Sequence, residues 1–357
     1  MPTIDADCHV IETEHTWDFM EPEDQKYRPV IVTPRGEAAV EYWMVDGKLW
    51  GAARQSGQDS KKLSQLSGRN MEVPVEAREM DDVSRRLAHM DELGVDVQVL
   101  YPTIFLGRAA ERPAVDVAVC RGYNRWLANI WGQADGRLRW VCVPPLLSMP
   151  DAIDELRWSK EHGAAGIFMR CVEGERVLHD PYFHPLYEEA VCLDLPVAIH
   201  IGNSNQAMNS LLSQHINGRG STFSTIRLTL VGAFHAIILT GLPEEFPRLR
   251  MGFVEGAAQW LPYALNDLRR RLPGLGKKLP ENVLHDYRLY VACQTDDDIE
   301  YVMRYAGEDN LLIGSDYGHN DQSSELEALR NLRQSGQITP AQYQKITCDN
   351  PQAFHHL

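Results

Sequence analysis

Eight short runs of apolar and β-branched residues recur along the chain: TIDADCHV (3–10), VDVQVLYPT (95–103), LRWVCVPPL (138–146), AAGIFMR (164–170), LPVAIHIG (195–202), LRMGFVEG (249–256), RLYVACQT (288–295) and NLLIGSDYG (310–318). Most are almost continuously apolar rather than alternating, the pattern of strands buried on both faces. Between them lie segments with apolar residues at helical spacing, among them PVEAREMDDVSRRLAHMDELG, AVDVAVCRGYNRWLANIWGQ, MPDAIDELRWSKEHG, DPYFHPLYEEAVCLD, DDDIEYVMRYAGED and DQSSELEALRNLRQSG. The first of these stops at Gly94, a residue suited to the left-handed position that ends helices. Eight strands, each followed by a helix, predict an α/β fold of the (β/α)8 TIM-barrel type, which occupies ~250 residues.

The chain has 357 residues, so there is a surplus, and it has a place. Residues 20–75 fall between the first strand and the first barrel helix, and VDGKLW within them carries an Asp46-Gly47 hairpin signal. We expect an insertion covering the barrel mouth, within a single domain spanning 1–357. A second polar, glycine-punctuated excursion, 203–224, follows the fifth strand and reads as an active-site loop.

Acidic residues outnumber basic ones 50 to 35, a formal net charge of -15, which disfavours nucleic acid as a partner. No apolar run approaches the ~20 residues of a membrane span, and the N-terminus lacks the features of a signal peptide. The seven cysteines are scattered without a C-x-x-C pair. No disulfide framework is indicated, and a cytoplasmic location is expected.

The chemistry lies at the strand ends. DADCH brings Asp5, Asp7 and His9 together at the end of the first strand, as a turn or as half of a metal site. The fourth run ends on Arg170, the fifth on His200, the sixth on Glu255 and the eighth on Asp316. Barrels of this type place their active sites at these C-terminal strand ends. Asp7, His9, His200 and Asp316 form a nitrogen and oxygen ligand set for one divalent ion, with zinc expected first and manganese or iron as alternatives. Each residue also has an ordinary role: His200 as a core histidine, Asp316 and Glu255 as helix caps.

The order D-A-D-C-H, P-V-A-I-H and I-G-S-D-Y, supported by MDELGVDVQVLYPT, FPRLRMGFVEGAAQWLP and DNPQAF, resembles the amidohydrolase superfamily. Within it the chain is similar to the branch of aminocarboxymuconate-semialdehyde, γ-resorcylate and 5-carboxyvanillate decarboxylases. The resemblance implies a barrel with one catalytic metal held by Asp7, His9, His200 and Asp316. It also implies a small aromatic or enol carboxylic acid as substrate, and a homodimer. Two positions depart from the pattern. The first ligand is Asp7 where relatives carry His or Glu. Glu255 stands where many relatives carry a His, and His235 on the preceding helix is a candidate replacement.

Two reactions fit this set. In one, the substrate loses CO2 and a strand-end acid, Asp316 first, protonates the remaining carbon, while Glu255 beside the metal is a further acid or base. In the other, activated water hydrolyses an amide, ester, lactone or C–C bond. Arg170 is the candidate for binding a substrate carboxylate, and His319 for donating to a substrate oxygen. A non-catalytic barrel scaffold is the third reading.

Overall fold

The computed structural model describes residues 1–33, 41–53, 57–216 and 222–357. Eight strands run parallel: β1 (Ile4–His9), β2 (Val97–Tyr101), β3 (Leu138–Cys142), β4 (Ala164–Glu173), β5 (Val197–Asn203), β6 (Met251–Val254), β7 (Leu289–Cys293) and β8 (Leu311–Ile313). They pair in that order, each with the next. Every residue of β1, β5, β6, β7 and β8 is buried, which is why these runs contain so few outward-facing polar positions. The result is a (β/α)8 barrel with helices packed outside it.

Residues beyond β8 complete the contact between β8 and β1. The Asp316 amide donates to the Asp7 carbonyl (3.0 Å), and the His9 amide donates to the Tyr317 carbonyl (2.7 Å). Below them the Asp5 carboxylate accepts from the Ser315 amide (2.9 Å) and hydroxyl (2.5 Å). Gly314 is required here, because a Cβ would run into Asp7 Cβ and backbone. Seam and site are therefore built from the same residues.

The segment after β1 holds a three-stranded antiparallel sheet of Val30–Val32, Tyr42–Val45 and Lys48–Ala52. Asp46 and Gly47 turn its hairpin with φ of 52° and 75°, the paired left-handed residues of a tight hairpin turn. The Asp46 carboxylate accepts from the amides of Glu111 (3.0 Å) and Arg112 (3.1 Å), and Trp50 Nε1 donates to the Ile104 carbonyl (3.0 Å). The sheet is thus docked on the segment that follows β2. Residues 34–40 and 54–56 of the expected insertion lie outside the described residues.

Three local features differ from the pattern-based expectation. The stretch from 321 is helical only over Ala328–Gln334. Its first residues turn back to the barrel, where Asp321 accepts from the Ser323 amide and Ser324 donates to Asp316. The excursion 203–224 contains a helix, Gln206–Leu212, capped by the Asn205 side chain, while residues 217–221 of it lie outside the described residues. Finally, Phe223–Thr240 is long and apolar enough to cross a membrane by length and composition. Yet Leu230, Phe234, Ile237 and Ile238 of this stretch belong to the barrel core.

Candidate metal centre

β1 delivers Asp7 and His9, and β5 delivers His200, which pairs in register with Arg170 on one side and Val254 on the other. Glu255 follows β6 directly. Glu255 and Asp316 both adopt positive φ, 65° and 52°, uncommon for residues with a side chain. Strained backbone of this kind persists where the surroundings over-determine it, and functional sites collect it.

The side chains converge. His9 Nε2 lies 3.1 Å from His200 Nε2, 3.6 Å from Asp7 Oδ1, 3.5 Å from Asp316 Oδ1 and 3.9 Å from Glu255 Oε2. His200 Nε2 lies 3.4 Å from Asp7 Oδ1 and 3.1 Å from Glu255 Oε2. All five residues are buried. Two sets of four residues have ligand atoms close enough for one ion: Asp7, His9, His200 and Glu255, and His9, Glu255, Asp316 and His319.

Hydrogen-bond logic makes this a cation site. His9 Nδ1 sits 2.9 Å from the Pro102 carbonyl and His200 Nδ1 3.0 Å from the Ile201 carbonyl, so each ring donates there. A neutral imidazole then offers only a lone pair at Nε2, and the two lone pairs face each other. Asp7 Oδ1, Glu255 Oε2 and Asp316 Oδ1 are buried and make no hydrogen bond. Three acceptor oxygens and two acceptor nitrogens around one point repel unless a positive charge lies among them. The residues present fit a divalent metal ion.

The proton equilibria follow from the same crowding. Burial, then the neighbouring Asp316 charge, drives the Glu255 carboxyl far above the usual carboxylate range. Burial, then Asp321 and Asp7, does the same for Asp316. Burial disfavours the charged form of His200, but Glu255 and Asp7 outweigh it and raise its pKa. His9 is pushed well down, by burial first and then by His319 and His200.

His319 joins the cluster. Its ring stacks on His9 with centroids 3.7 Å apart, and its Nδ1 lies 2.8 Å from Asp316 Oδ1. Thr103 Oγ1 gives its proton to the Val10 carbonyl (2.7 Å), so it accepts from His319 Nε2 at 2.9 Å. Arg170 stands apart from the ligand atoms. Its guanidinium bonds Glu173 Oε2 and the Phe105 and Gly107 carbonyls, and it lines a separate cavity of ≈ 370 Å³ with Arg108, Asp116 and Tyr182. His235 is not brought to the cluster; its Nε2 lies 3.0 Å from Asp267 Oδ2 on the helix Leu261–Arg271.

Glu255 forms part of the wall of a larger cavity, ≈ 750 Å³, whose other walls include Arg69, Met71, Ile201, Arg227 and Asn320. Periodicity did not single out Arg69 or Arg227. The available signal was a lone charge at the head of an uncharged run, RLTLVGAFHAIILTG. Thr103 and Ser324, which position His319 and Asp316, carry no signal that distinguishes them from loop residues.

The fold agrees with the comparisons to known proteins. The amidohydrolase family model matches residues 4–357, and the chain belongs to that family. It is therefore an enzyme of a metal-dependent class, not a bare scaffold. A curated relative, 2-keto-4-carboxy-3-hexenedioate hydratase of Sphingobium sp. (strain NBRC 103272 / SYK-6), is 25% identical over 287 residues, covering 74% of this chain and 76% of its own. Among solved structures, an amidohydrolase from Mycobacterium avium subsp. paratuberculosis K-10 superposes with a TM-score of 0.80 at 17% identity, over 99% of this chain and 98% of that one. A manganese-bound 5-carboxyvanillate decarboxylase from Novosphingobium aromaticivorans superposes with a TM-score of 0.68 at 16% identity, over 100% and 97%. At these identities the structural likeness is one of fold.

Proposed function

We propose that the protein is a divalent-metal-dependent lyase that removes CO2 from a small aromatic or enol carboxylic acid, with Asp7, His9, His200 and Asp316 as metal ligands. The observation that carries this reading is the placement of Glu255. It is a buried carboxyl beside His200, in the wall of a cavity of ≈ 750 Å³ that Arg69, Arg227, Asp296 and Asp321 also line. A buried carboxyl to act as proton donor and the guanidinium of Arg227 in one cavity suit an anionic substrate that must gain a proton on carbon. The nitrogen and oxygen donor set suits zinc, and manganese equally by ligand type. The manganese of the decarboxylase relative supports keeping both.

When bound, a divalent ion supplies positive charge that holds substrate oxygens and stabilises electron density on the adjacent carbon. The chain's own residues do the rest. Glu255 in its acid form gives its proton to the substrate carbon as the bond to the carboxylate breaks. The bonding pair stays on that carbon and CO2 departs, after which Glu255 regains a proton from water in the cavity. Ser324 holds Asp316 through its second oxygen at 2.7 Å. Thr103 and the His9 ring hold His319 beside Asp316, and donation to a substrate oxygen would require His319 to exchange its bond to Thr103 for the substrate. Arg170 and its partner Glu173 brace the rim, and a direct role for Arg170 in binding would require it to exchange these bonds for the substrate.

A second reading, addition of water across a double bond conjugated to carboxylates, is favoured by the hydratase relative. It uses the same proton delivery to carbon. The test is to incubate zinc- or manganese-loaded protein with carboxylated phenols and conjugated enoic acids, following CO2 and ultraviolet absorbance together. CO2 release supports the lyase reading. Loss of conjugation without CO2 replaces it with hydration, and turnover of only esters or lactones replaces it with hydrolysis.

A further inference from the structure

Three arginines stand near the C-terminal ends of the strands, and their partners set them apart. Arg170 is neutralised by Glu173, with Nη2 2.6 Å from Oε2. Arg69 Nη2 is 3.2 Å from Asp296 Oδ2, and its Nη1 donates to the Gln322 carbonyl at 2.9 Å. Arg227 donates from Nη2 to the Ser323 hydroxyl at 2.6 Å, and among the described residues it has no carboxylate partner. Glu255, Asp296 and Asp321 line the same cavity, but none of them pairs with Arg227, so this half-buried guanidinium keeps N–H donors for an anionic occupant.

The local backbone fixes where this charge stands. Phe223–Arg227 is wound as a π-helical turn before the regular helix Leu228–Thr240, an irregularity frequent at functional sites. The Thr225 carbonyl accepts from Asn203 Nδ2 (3.1 Å) and from Thr229 Oγ1 (3.2 Å). Asn203 ends β5, three residues beyond His200. The turn carrying Arg227 is thereby tied to the strand that delivers His200, and both Arg227 and Glu255 line the same cavity.

We propose that Arg227 binds a second carboxylate of the substrate, separate from the group that reacts, so that the site selects dicarboxylic over monocarboxylic acids. This rests on the reading above only in taking the substrate to be a carboxylic acid. A guanidinium presents paired N–H donors that match a carboxylate, and the Ser323 contact leaves such a pair available. The cavity has room for a substituted ring or a six-carbon chain, and its apolar residues Met71, Ile201 and Ile226 suit the carbon skeleton between two charged ends.

The test is calorimetric titration of the zinc-loaded protein with benzoate and with isophthalate (benzene-1,3-dicarboxylate), in wild type, Arg227→Gln and Arg227→Lys. We expect wild type to bind isophthalate at least about tenfold more tightly than benzoate, the scale of one charged hydrogen-bonding pair. Arg227→Gln removes that preference and Arg227→Lys restores part of it. If Arg227→Gln does not fold, Arg227→Lys alone must still show a reduced preference. Equal binding of the two acids by wild type, binding of neither, or a preference that survives in the variants overturns the proposal. The titration reads no turnover. Should no acid release CO2 while the Arg227-dependent preference holds, the lyase reading falls and the second carboxylate site stands.

Discussion

The Nε2 atoms of His9 and His200 face one another across 3.1 Å, although both rings have already given their Nδ1 protons to backbone carbonyls. Two acceptors at that distance, ringed by the orphaned oxygens of Asp7, Glu255 and Asp316, repel unless positive charge lies among them, and a divalent ion meets all of them at once. Protein purified without added metal is expected to retain about one equivalent of zinc or manganese, and His200→Ala to lose it. At a free metal concentration 100-fold above Kd, binding stabilises a fold by about 2.7 kcal/mol. Chelation should therefore lower the melting temperature of wild type, with recovery on adding zinc, and His200→Ala should show no such response. Elemental analysis and thermal melts check both; a metal-free wild type that also ignores added zinc would sink the centre.

Glu255 and His235 differ in what surrounds them, and this separates two candidate proton carriers. Glu255 Oε2 is 3.1 Å from His200 Nε2 and without a hydrogen bond, whereas His235 is half-buried and paired with Asp267. Glu255→Gln keeps the size of the side chain and removes its transferable proton. Its kcat should fall by roughly 10²–10⁴, the usual contribution of a positioned acid or base. His235→Gln should leave kcat within about twofold, since surface pairs of this kind contribute little. The decisive measurement is kcat for both variants at equal metal content. A large loss in His235→Gln with none in Glu255→Gln would reverse the assignment.

The clasp between Asp5 and Ser315 should matter to both fold and metal. The carboxylate takes two Ser315 protons inside the barrel, and burial, opposed by those bonds, raises its pKa. Asp5→Ala leaves the Ser315 amide buried without a partner, which costs about 1–3 kcal/mol. Because Ser315 precedes Asp316, metal affinity should drop as well, by roughly 10–100-fold for a lost supporting bond. Denaturant melts of the metal-free protein and metal titrations read the two effects separately. A destabilised variant with unchanged metal affinity would confine Asp5 to a structural role.

Much of this was legible from residue order. Each of the eight strands coincides with an apolar run, β5 outrunning its run by one residue and β4 by three, and the hairpin at Asp46-Gly47 and the stop at Gly94 sit where turn chemistry places them. The approach of Asp7 and His9 to His200 was legible because a barrel brings strand ends together regardless of their separation in sequence, whereas Asp316 groups with His9, Glu255 and His319 instead of with His200. The partners of Arg170 and His235 were not, because a guanidinium or imidazole is claimed by whichever acid packs nearest. Glu173 and Asp267 are ordinary acidic residues in sequence. The late start of the last predicted helix was hidden for a similar reason: Ser324 is spent on Asp316 instead of on a helical first turn.

His355, outside the site, provides a pH test of the fold itself. Its ring is buried near the C-terminus with Nδ1 3.0 Å from the Ala165 carbonyl, and burial pushes its pKa down from 6.5 to about 4. The folded state thus favours the neutral ring. The stability this contributes is fully present above the unfolded pKa of 6.5 and is lost as pH falls toward the folded value of about 4. Between pH 7 and pH 5 the loss from this one group is on the order of 2 kcal/mol. His355→Gln keeps a donor for Ala165 without a titrating group. Its unfolding free energy, measured in urea with metal removed at each pH, should therefore fall less steeply over that interval than wild type does. Metal removal keeps the pH dependence of metal binding out of the comparison, and the remaining histidines cancel between the two proteins. Parallel slopes for variant and wild type would mean that the buried ring is protonated as readily in the fold as in the unfolded chain.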